Sequence, residues 1–436
     1  MPAAPGAAAP TDVLIIGGGL IGLCSAFSLA RRGHTVTVID RERIGAGAAR
    51  GNAGEVTPLT ALPLAGPGML RETVRGVLSR SHYLSIAPLA LPGLTAFGLS
   101  FLAHCAPGRV AAGARALDQL TRGAFAAFDS YQRDGISLAG GGTGYLYTHT
   151  DPDQLRAYRS GMVARADLLG MQHPDPVLTG AELRVAEPAL SHDAPAAFVA
   201  PTERFIDPGT FVDDLSTALT ALGVQVREGV EALRLDPAAS RPTAIVRTHA
   251  GTERISASRI VLAGGAWTAG LLARSGNKTP GRMRVKPGRG YSFTVGTEVL
   301  PQRLLGSLAQ RTVAIPMSGR LRIVGLMDFD GSNDRFDDRR FAHLAERASK
   351  FLHGVHWEDT SEHWVGPRPM TASGVPVISP LPQDSRILVA AGHNMHGLSL
   401  GPVTGEVVAD LIAGASPRVA GKDIDLRPYS LAGARS

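Results

Sequence analysis

The stretch from Thr11 to Asp40, TDVLIIGGGLIGLCSAFSLARRGHTVTVID, constrains this chain more than any other. Val13-Leu14-Ile15-Ile16 is a continuous apolar run, the pattern of a strand buried on both faces of a parallel sheet. Gly17-x-Gly19-x-x-Gly22 follows at once. A helical pattern then runs from Leu20 to Arg32, with Leu23, Phe27 and Ala30 on one face. Gly33 stops it, and Thr35 to Ile39 reads as a second strand ending in Asp40. In such a unit Gly17 permits a tight turn and Gly19 lets the backbone approach a pyrophosphate. Gly22, with Ala26 a turn later, lets the helix pack close to the sheet. Leu20 and Ile21 open a helix whose free N–H groups and positive end favour phosphate. Asp40 is placed to accept hydrogen bonds from a ribose. With 52 glycines, a bare GxGxxG is expected roughly once by chance, so the strand–turn–helix–strand–acid context carries the signal.

A chain of 436 residues can bury a large core and predicts two domains. Its 44% hydrophobic content and abundant glycine suit an α/β enzyme. The net charge is +6, but the arginines are scattered and no basic stripe carries interleaved aromatics, which argues against nucleic acid. A mildly basic surface could instead rest on an anionic membrane or attract an acidic partner. The two cysteines, Cys24 and Cys105, show no metal spacing and no disulfide framework, as in a reducing compartment; Cys24 reads as small core filler. The tail MPAAPGAAAP lacks the basic and apolar regions of a signal peptide. Ile86 to Ala106 is almost uncharged and long enough to span a bilayer, yet Pro88, Pro92 and Gly93 break its first half. It is expected to form a buried or lid-like pair of short helices, with peripheral membrane contact as the alternative.

Small residues from Gly45 to Gly54 form a loop against which a flat or phosphorylated ligand can lie. Residues 63 to 135 read as helix-rich and Tyr145 to Thr148 as a strand. Asp151 caps a helix to Gly170, and Ala196 to Ala200 is a short strand. Asp207 and Pro208 open a helix to Leu222. Val224 to Val226, Glu231 to Leu235, Ala244 to Thr248 and Arg254 to Ile255 together suggest a meander. Arg259 to Gly265 is a buried strand ending in glycines, followed by Ala266, Trp267 and a helix. Arg284 to Val295 is extended, and Val313 to Pro316 with Leu321 to Gly325 forms a hairpin. Asp338 to Leu352 is a helix whose charges are expected on a solvated face. Ile387 to Ala391 is a strand that leads through GHNMHGLSLGPVTG (392–405) into a helix ending at Ala413.

With Asp40, the Gly265–Trp267 turn, the GPRPMT segment (366–371) and the 392–405 segment in view, the chain resembles the D-amino acid oxidase superfamily of FAD enzymes, over nearly its whole length. It is most similar to the bacterial D-amino acid dehydrogenases and their glycine, sarcosine and hydroxyproline relatives. The resemblance implies an α/β fold: a Rossmann-like FAD domain assembled from 1–62, 207–285 and 366–436, and an α+β substrate domain with an antiparallel sheet from 63–206 and 286–365. It implies that Gly17, Gly19, Gly22 and Asp40 bind the ADP moiety and that Arg41 lies at the adenosine end. Asn52, Ala53 and Gly54 would run along the flavin, and Ala232 would offer its main chain to adenine. Gly264 and Trp267 would lie near the pyrophosphate. Gly397, Leu398, Ser399, Leu400, Gly401 and Thr404 would surround the pyrimidine edge, where a helix N-terminus stabilises the charge of a reduced flavin. Neither cysteine falls in a loop used for covalent attachment, so the FAD is expected to be noncovalent, with His396 the residue that leaves the question open.

The expected chemistry is oxidation of an amino acid at Cα by hydride transfer to flavin N5, which asks the protein to hold the carboxylate, aim the C–H and exclude water. Arg368 is the candidate carboxylate ligand, since GPRP resembles the family's GLRP segment and a guanidinium binds carboxylate bidentately. A structural Arg before Pro369 is the alternative. Tyr291 could add a second hydrogen bond, and His393 or Asn394 could contact the amine or the flavin; Arg204 and Tyr145 are weaker candidates. No metal is expected. The leading expectation is a cytoplasmic D-amino acid dehydrogenase, able to sit on the inner face of the membrane and pass electrons to a quinone or carrier. The alternatives are a dehydrogenase or an oxygen-using oxidase of glycine, sarcosine, proline, hydroxyproline or another secondary amine; a nicotinamide dehydrogenase; and a non-enzymatic flavoprotein. The departures from the closest dehydrogenases, GAGAARG before the Asn52–Gly54 loop and two histidines in the last loop, bear on substrate more than on fold.

Overall fold

Val13–Ile16 forms a strand with no solvent-facing side. Alternation sends Val13 and Ile15 into one core and Leu14 and Ile16 into another. A computed structural model describes residues 11–431 except 67, 80–81, 237–238, 277–282 and 284. The N-terminal tail and the start of the extended run at Arg284 therefore lie outside the described residues.

The buried strand is central in a six-stranded sheet of order Val377–Leu381, Asp384–Ala391, Arg259–Leu262, Val13–Ile16, Val36–Ile39, Gln225–Arg227. Neighbours are parallel except the antiparallel edge strand Val377–Leu381. From Val13–Ile16 the sheet grows one way through Val36–Ile39 and later resumes on the other side with Arg259–Leu262. That reversal opens a crevice at the carboxyl ends of the two central strands. Gly17 and the Ala263–Gly264 turn meet there: Gly17 has φ 113°, and a Cβ on it would lie 2.6 Å from the Ala263 carbonyl oxygen. Helix Leu20–Arg31 packs against helix Gly397–Ile412, and the absence of a side chain at Gly405 permits the approach, since a Cβ there would lie 2.5 Å from Cys24 O. Cys24 fills that interface, its thiol pushed up to about 12 by burial.

Gln225–Arg227 pairs in parallel with Val36–Ile39 and so extends the central sheet; the meander is only the three strands Glu231–Leu235, Thr243–Thr248 and Gly251–Ser256. A three-residue strand carries no local sign of which partner it will choose, and this one is placed by the helix Pro208–Ala221 that precedes it. The short strand expected at Ala196–Ala200 continues to Phe205.

The other large unit is a ten-stranded, mostly antiparallel sheet. Its main path is Val355–Met370, Lys286–Thr297, Arg320–Phe329, Thr312–Met317, Leu304–Ser307, Gly142–Thr148, Ala196–Phe205 and Glu55–Val56. On Lys286–Thr297, Tyr291, Phe293 and Val295 point into a core shared with Phe341 and Leu344 of helix Asp338–Ser349. Ser292, on the opposite face, donates to the Gly51 carbonyl at 2.8 Å, tying this sheet to the small-residue loop. The helix is not solvated on all its charged positions: Arg340 is buried and pairs with Asp328 at 2.7 Å. Arg289 pairs with Asp328 at 3.3 Å and Asp330 at 2.9 Å, and the Tyr291 hydroxyl donates to Asp328 at 2.7 Å. Arg340 shares its face with Leu344 and Ala348, so four-residue spacing turns it inward, where a buried charge demands a partner.

The apolar segment is also different from the buried or lid-like pair. A 3-10 turn at Pro88–Ala90 leads into one helix, Leu91–His104, of which only Phe97 is buried. Leu89 is 97% exposed and Leu99 66%. Among the described residues no single helix is long and apolar enough to cross a membrane; Pro88–His104 and Pro107–Arg133 pass that test only as a pair bent by 92°.

Candidate active site

A cavity of about 690 Å³ runs from the crevice of the parallel sheet to the large antiparallel sheet. At the crevice end the glycines divide the labour. A Cβ on Gly19 would meet nothing within 4 Å, so the backbone there is open to a ligand; one on Gly22 would lie 1.9 Å from Gly17 O, so Gly22 sets the helix–turn contact and does not line the cavity. Leu20 and Ile21 line it at the start of the helix. The Asp40 carboxylate accepts from Gly18 N–H at 2.7 Å and Glu42 N–H at 2.9 Å. Burial raises its pKa, against the pull of those two bonds. Arg41 lies 4.2 Å over the Trp267 ring, and both line the cavity beside Ala232 and Gly264. Thr268, at the start of the following helix, also lines it, and its buried hydroxyl has no hydrogen-bond partner among the described residues.

Along the middle run Asn52 and Ala53. Asn52 Nδ2 donates to the Ala49 carbonyl, and its Oδ1 accepts from Gly54 N–H at 2.8 Å, so the side chain shapes its own loop. Gly54 does not line the cavity; φ 66° and a would-be Cβ 2.1 Å from Ile206 O make it a packing glycine. Trp364 lies between Gly51 and Gly366, on either of which a Cβ would sit 2.0 Å from the indole.

At the far end stands Arg368. It donates to Leu326 O at 2.8 Å, its guanidinium lies over Gly290, and it has no ion pair among the described residues. Burial lowers its pKa to about 10, with Glu55 the first charge opposing that shift. The last loop is pinned to the same strand: Asn394, at φ 54°, accepts from Thr371 N–H at 2.8 Å and donates to Gly392 O at 2.8 Å. His393 lines the cavity with Gly397 and Leu398. It is fully buried, its Nε2 lies 3.0 Å from Thr404 Oγ1, and its Nδ1 has no hydrogen-bond partner among the described residues. Burial pushes its pKa down to about 3, so the imidazole is neutral.

Several expected residues sit behind the wall. Tyr291, anticipated on the substrate carboxylate, is fully buried on the far face of its strand and spends its hydroxyl on Asp328. Gly290, its neighbour in the alternation, is the position that faces Arg368. Ser399 donates to Glu55 O at 2.7 Å, Leu400 is core, Gly401 abuts Cys24 and Thr404 supports His393. His396 bonds Leu62 O at 3.2 Å and does not line the cavity. Arg204 pairs with Asp129 at 2.5 Å, away from it. Glu55, Tyr83, Arg311, Leu326 and Trp364 line the cavity and were not singled out from the sequence. Glu55 left one signal, a charge directly after a small-residue loop and before the uncharged run from Val56 to Leu70.

The crevice end fits FAD. The open Gly19, the helix start, Asp40 at the strand end, the unpartnered Thr268 hydroxyl and the Arg41–Trp267 wall are the donors and surfaces that a pyrophosphate, ribose and adenine require. The profile of the FAD dependent oxidoreductase family matches residues 12–411. D-amino acid dehydrogenase 2 of Ralstonia nicotianae is 30% identical over 97% of this chain and 100% of its own length. The D-amino acid dehydrogenase of Methylobacterium radiotolerans is 29% identical over 96% of this chain and 99% of its own. Among solved structures, glycine oxidase from Geobacillus kaustophilus superposes with a TM-score of 0.69 at 25% identity, covering 98% of each chain. Iminodiacetate oxidase from Chelativorans shares the fold, with a TM-score of 0.71 at 20% identity, over 96% of this chain and 98% of its own. On a family match that takes in both ends of the cavity, this chain belongs to the FAD-dependent oxidoreductases of the D-amino acid oxidase (DAO) family.

Proposed function

We propose that the protein oxidatively deaminates D-amino acids, binding FAD noncovalently and passing electrons to a quinone or another carrier. One observation carries most of this reading: a half-buried guanidinium, Arg368, faces the cavity with no ion pair among the described residues, and a cation held in that position calls for an anionic ligand. The curated relatives named D-amino acid dehydrogenase support the substrate class. We place the FAD-binding part in 1–62, 207–285 and 366–436 and the substrate-binding part in 63–206 and 286–365. The two sheets support this division, except that Glu55–Val56 and the end of Val355–Met370 belong to the large sheet.

When bound, FAD supplies the acceptor for the hydride that leaves Cα. The chain's own work is positional. Arg368 holds the carboxylate, backed by Leu326 O and seated on Gly290. Trp364, Val324 and Leu326 exclude water around the reacting carbon. The start of helix Gly397–Ile412 offers N–H groups to developing negative charge. His393 stays neutral and lends no charge of its own.

The exposed, uncharged helix Leu91–His104, with Leu70, Val74 and Leu78 exposed on Met69–Leu78, supports peripheral contact with the inner face of the membrane near the cavity, which Leu64 and Met69 line. Two leucine-to-aspartate changes, at Leu89 and Leu99, are expected to abolish co-sedimentation with anionic vesicles; unchanged sedimentation would remove this part of the reading.

The test of the chemistry is an anaerobic absorbance titration of the FAD-loaded protein with D- and L-amino acids, proline, hydroxyproline, glycine and sarcosine. Bleaching by D-isomers that reverses slowly in air is the expected result. Bleaching only by glycine or N-substituted amines would replace it with an amine oxidase or dehydrogenase, and a flavin that nothing reduces would sink it.

A further inference from the structure

Glu55 is the acidic counterpart of Arg368 on the cavity wall. It stands on Glu55–Val56, paired with Arg204–Phe205, and its carbonyl is fixed by the Ser399 hydroxyl at 2.7 Å. Its side chain lines the same cavity as Arg368 and lies beside the Tyr145 hydroxyl. Tyr145 is held in turn by stacking on Tyr147, with ring centroids 4.0 Å apart, and by the empty side of Gly306, where a Cβ would lie 2.8 Å from its hydroxyl. Glu55 and Arg368 feel each other's charge, yet form no ion pair with each other or with any other described residue. Two opposite, half-buried charges in one cavity, kept apart by their own supports, leave a gap that suits a ligand carrying both charges.

Resting on the reading of the site as an amino acid oxidation site, we infer that Glu55, flanked by Tyr145, receives the amino group of the substrate whose carboxylate Arg368 holds. The site thereby selects amino acids over plain carboxylates. The chemistry asks for one thing more of this residue. Cα releases hydride only once the nitrogen lone pair is free, so the bound ammonium must first lose a proton. That proton passes from N–H to the Glu55 carboxylate, leaving a neutral amine and a neutral carboxyl, with no other reactant needed. Burial raises the Glu55 pKa, which lowers the cost of taking the proton. The groups that face it are Tyr145 and Tyr147 on Gly142–Thr148, Tyr158 on Pro152–Leu169, Glu203 on Ala196–Phe205, and Arg368. Of these, Arg368 is the one positive charge, and it opposes the upward shift that burial causes.

The test uses two ligands of nearly one shape that cannot be oxidised at Cα by hydride loss from an amine: 2-aminoisobutyrate, which has both charges and no α-hydrogen, and isobutyrate, which has only the carboxylate. Each is titrated into the FAD-loaded full chain and followed by the shift of the flavin absorbance band. Wild type is expected to prefer 2-aminoisobutyrate. Glu55→Gln is expected to weaken it by about tenfold or more, the worth of a charge-assisted contact, and to tighten isobutyrate by removing a repelling charge. A loss of packing alone would weaken both. Affinities that move together, or that do not move, would overturn the inference, as would a wild type that binds isobutyrate at least as well. If Glu55→Gln does not retain FAD, Tyr145→Phe is read instead, with a smaller loss, about threefold, confined to 2-aminoisobutyrate; loss for both ligands or for neither overturns it. Failure of the underlying reading shows separately, as a wild-type flavin that no amino acid bleaches.

Discussion

The two ends of the cavity are built on different principles. The nucleotide end is made largely by backbone: a glycine turn, a helix start and one carboxylate, mostly from the single stretch Thr11–Asp40. The substrate end is made by side chains from distant segments, Glu55, Arg368 and His393, each located by a partner of its own: Ser399, Leu326 and Thr404. The first kind of site fails when an atom is added. The second fails when one is taken away.

The largest effect is therefore expected from the smallest addition. Gly22→Ala places a Cβ 1.9 Å from Gly17 O, and neither atom belongs to a flexible side chain. Relief requires the helix to lift from the turn, at a cost of about 1–3 kcal/mol, and the phosphate cradle moves with it. The purified variant is expected to lack flavin absorbance and to melt at lower temperature. Retention of a full complement of FAD would show that the cradle tolerates the shift and would break the contrast.

Arg368→Gln should do the converse. Flavin absorbance is expected to be kept, while the rate of flavin reduction by the best amino acid falls roughly a thousandfold, from loss of the bidentate anchor and of the alignment it imposes. Loss of FAD together with activity would mean that the two ends cannot be separated.

The substrate end also carries the expected pH sensitivity. Burial lowers the pKa of His393 to about 3 and of His396 to about 4, against an ordinary value of 6.5. Below pH 6.5 the unfolded chain binds protons that the folded chain refuses. Their effect on stability is absent above that pH, and stability falls as the pH drops from 6.5 toward 4, by up to about 1.4 kcal/mol per pH unit for each imidazole. Melting temperature measured between pH 8 and pH 5 is expected to decline through this window, and His393→Gln to make the decline shallower. An unchanged slope in the variant would show that His393 takes up a proton without unfolding.

The same contrast explains what could be read from the sequence. The nucleotide end was legible because its determinants are local: strand, Gly17, Gly19, helix and Asp40 follow one another, and their periods of 2 and 3.6 residues name the elements directly. The substrate end depends on facts that no local pattern holds. In Lys286–Thr297 nearly every residue is buried, so the phase of alternation that turns Gly290 toward Arg368 and Tyr291 away is decided by pairing with Arg320–Phe329 and Val355–Met370. Gln225–Arg227 had the right conformation and an unreadable partner. Arg340 could have been found, because it falls on the apolar face with Leu344 and Ala348; its charge argued for solvent, and Asp328 outweighed that. Glu55 lies on a strand too short to show a pattern at all.

Tyr291 offers the finest test of where the substrate end stops. Its hydroxyl donates to Asp328, whose carboxylate also pairs with Arg289 and Arg340, so Tyr291→Phe leaves the acid with two cationic partners. The loss is then one buried hydrogen bond, about 1–2 kcal/mol of stability, read as a lower urea midpoint with an unchanged slope. Since the ring packs edge-on against Phe341 on the far side of the sheet from Arg368, KM for the amino acid is expected to stay within twofold of wild type. A tenfold rise in KM with unaltered stability would place Tyr291 back on the carboxylate. It would also require the strand to present its other face to the cavity, which would displace Gly290 from beneath the guanidinium.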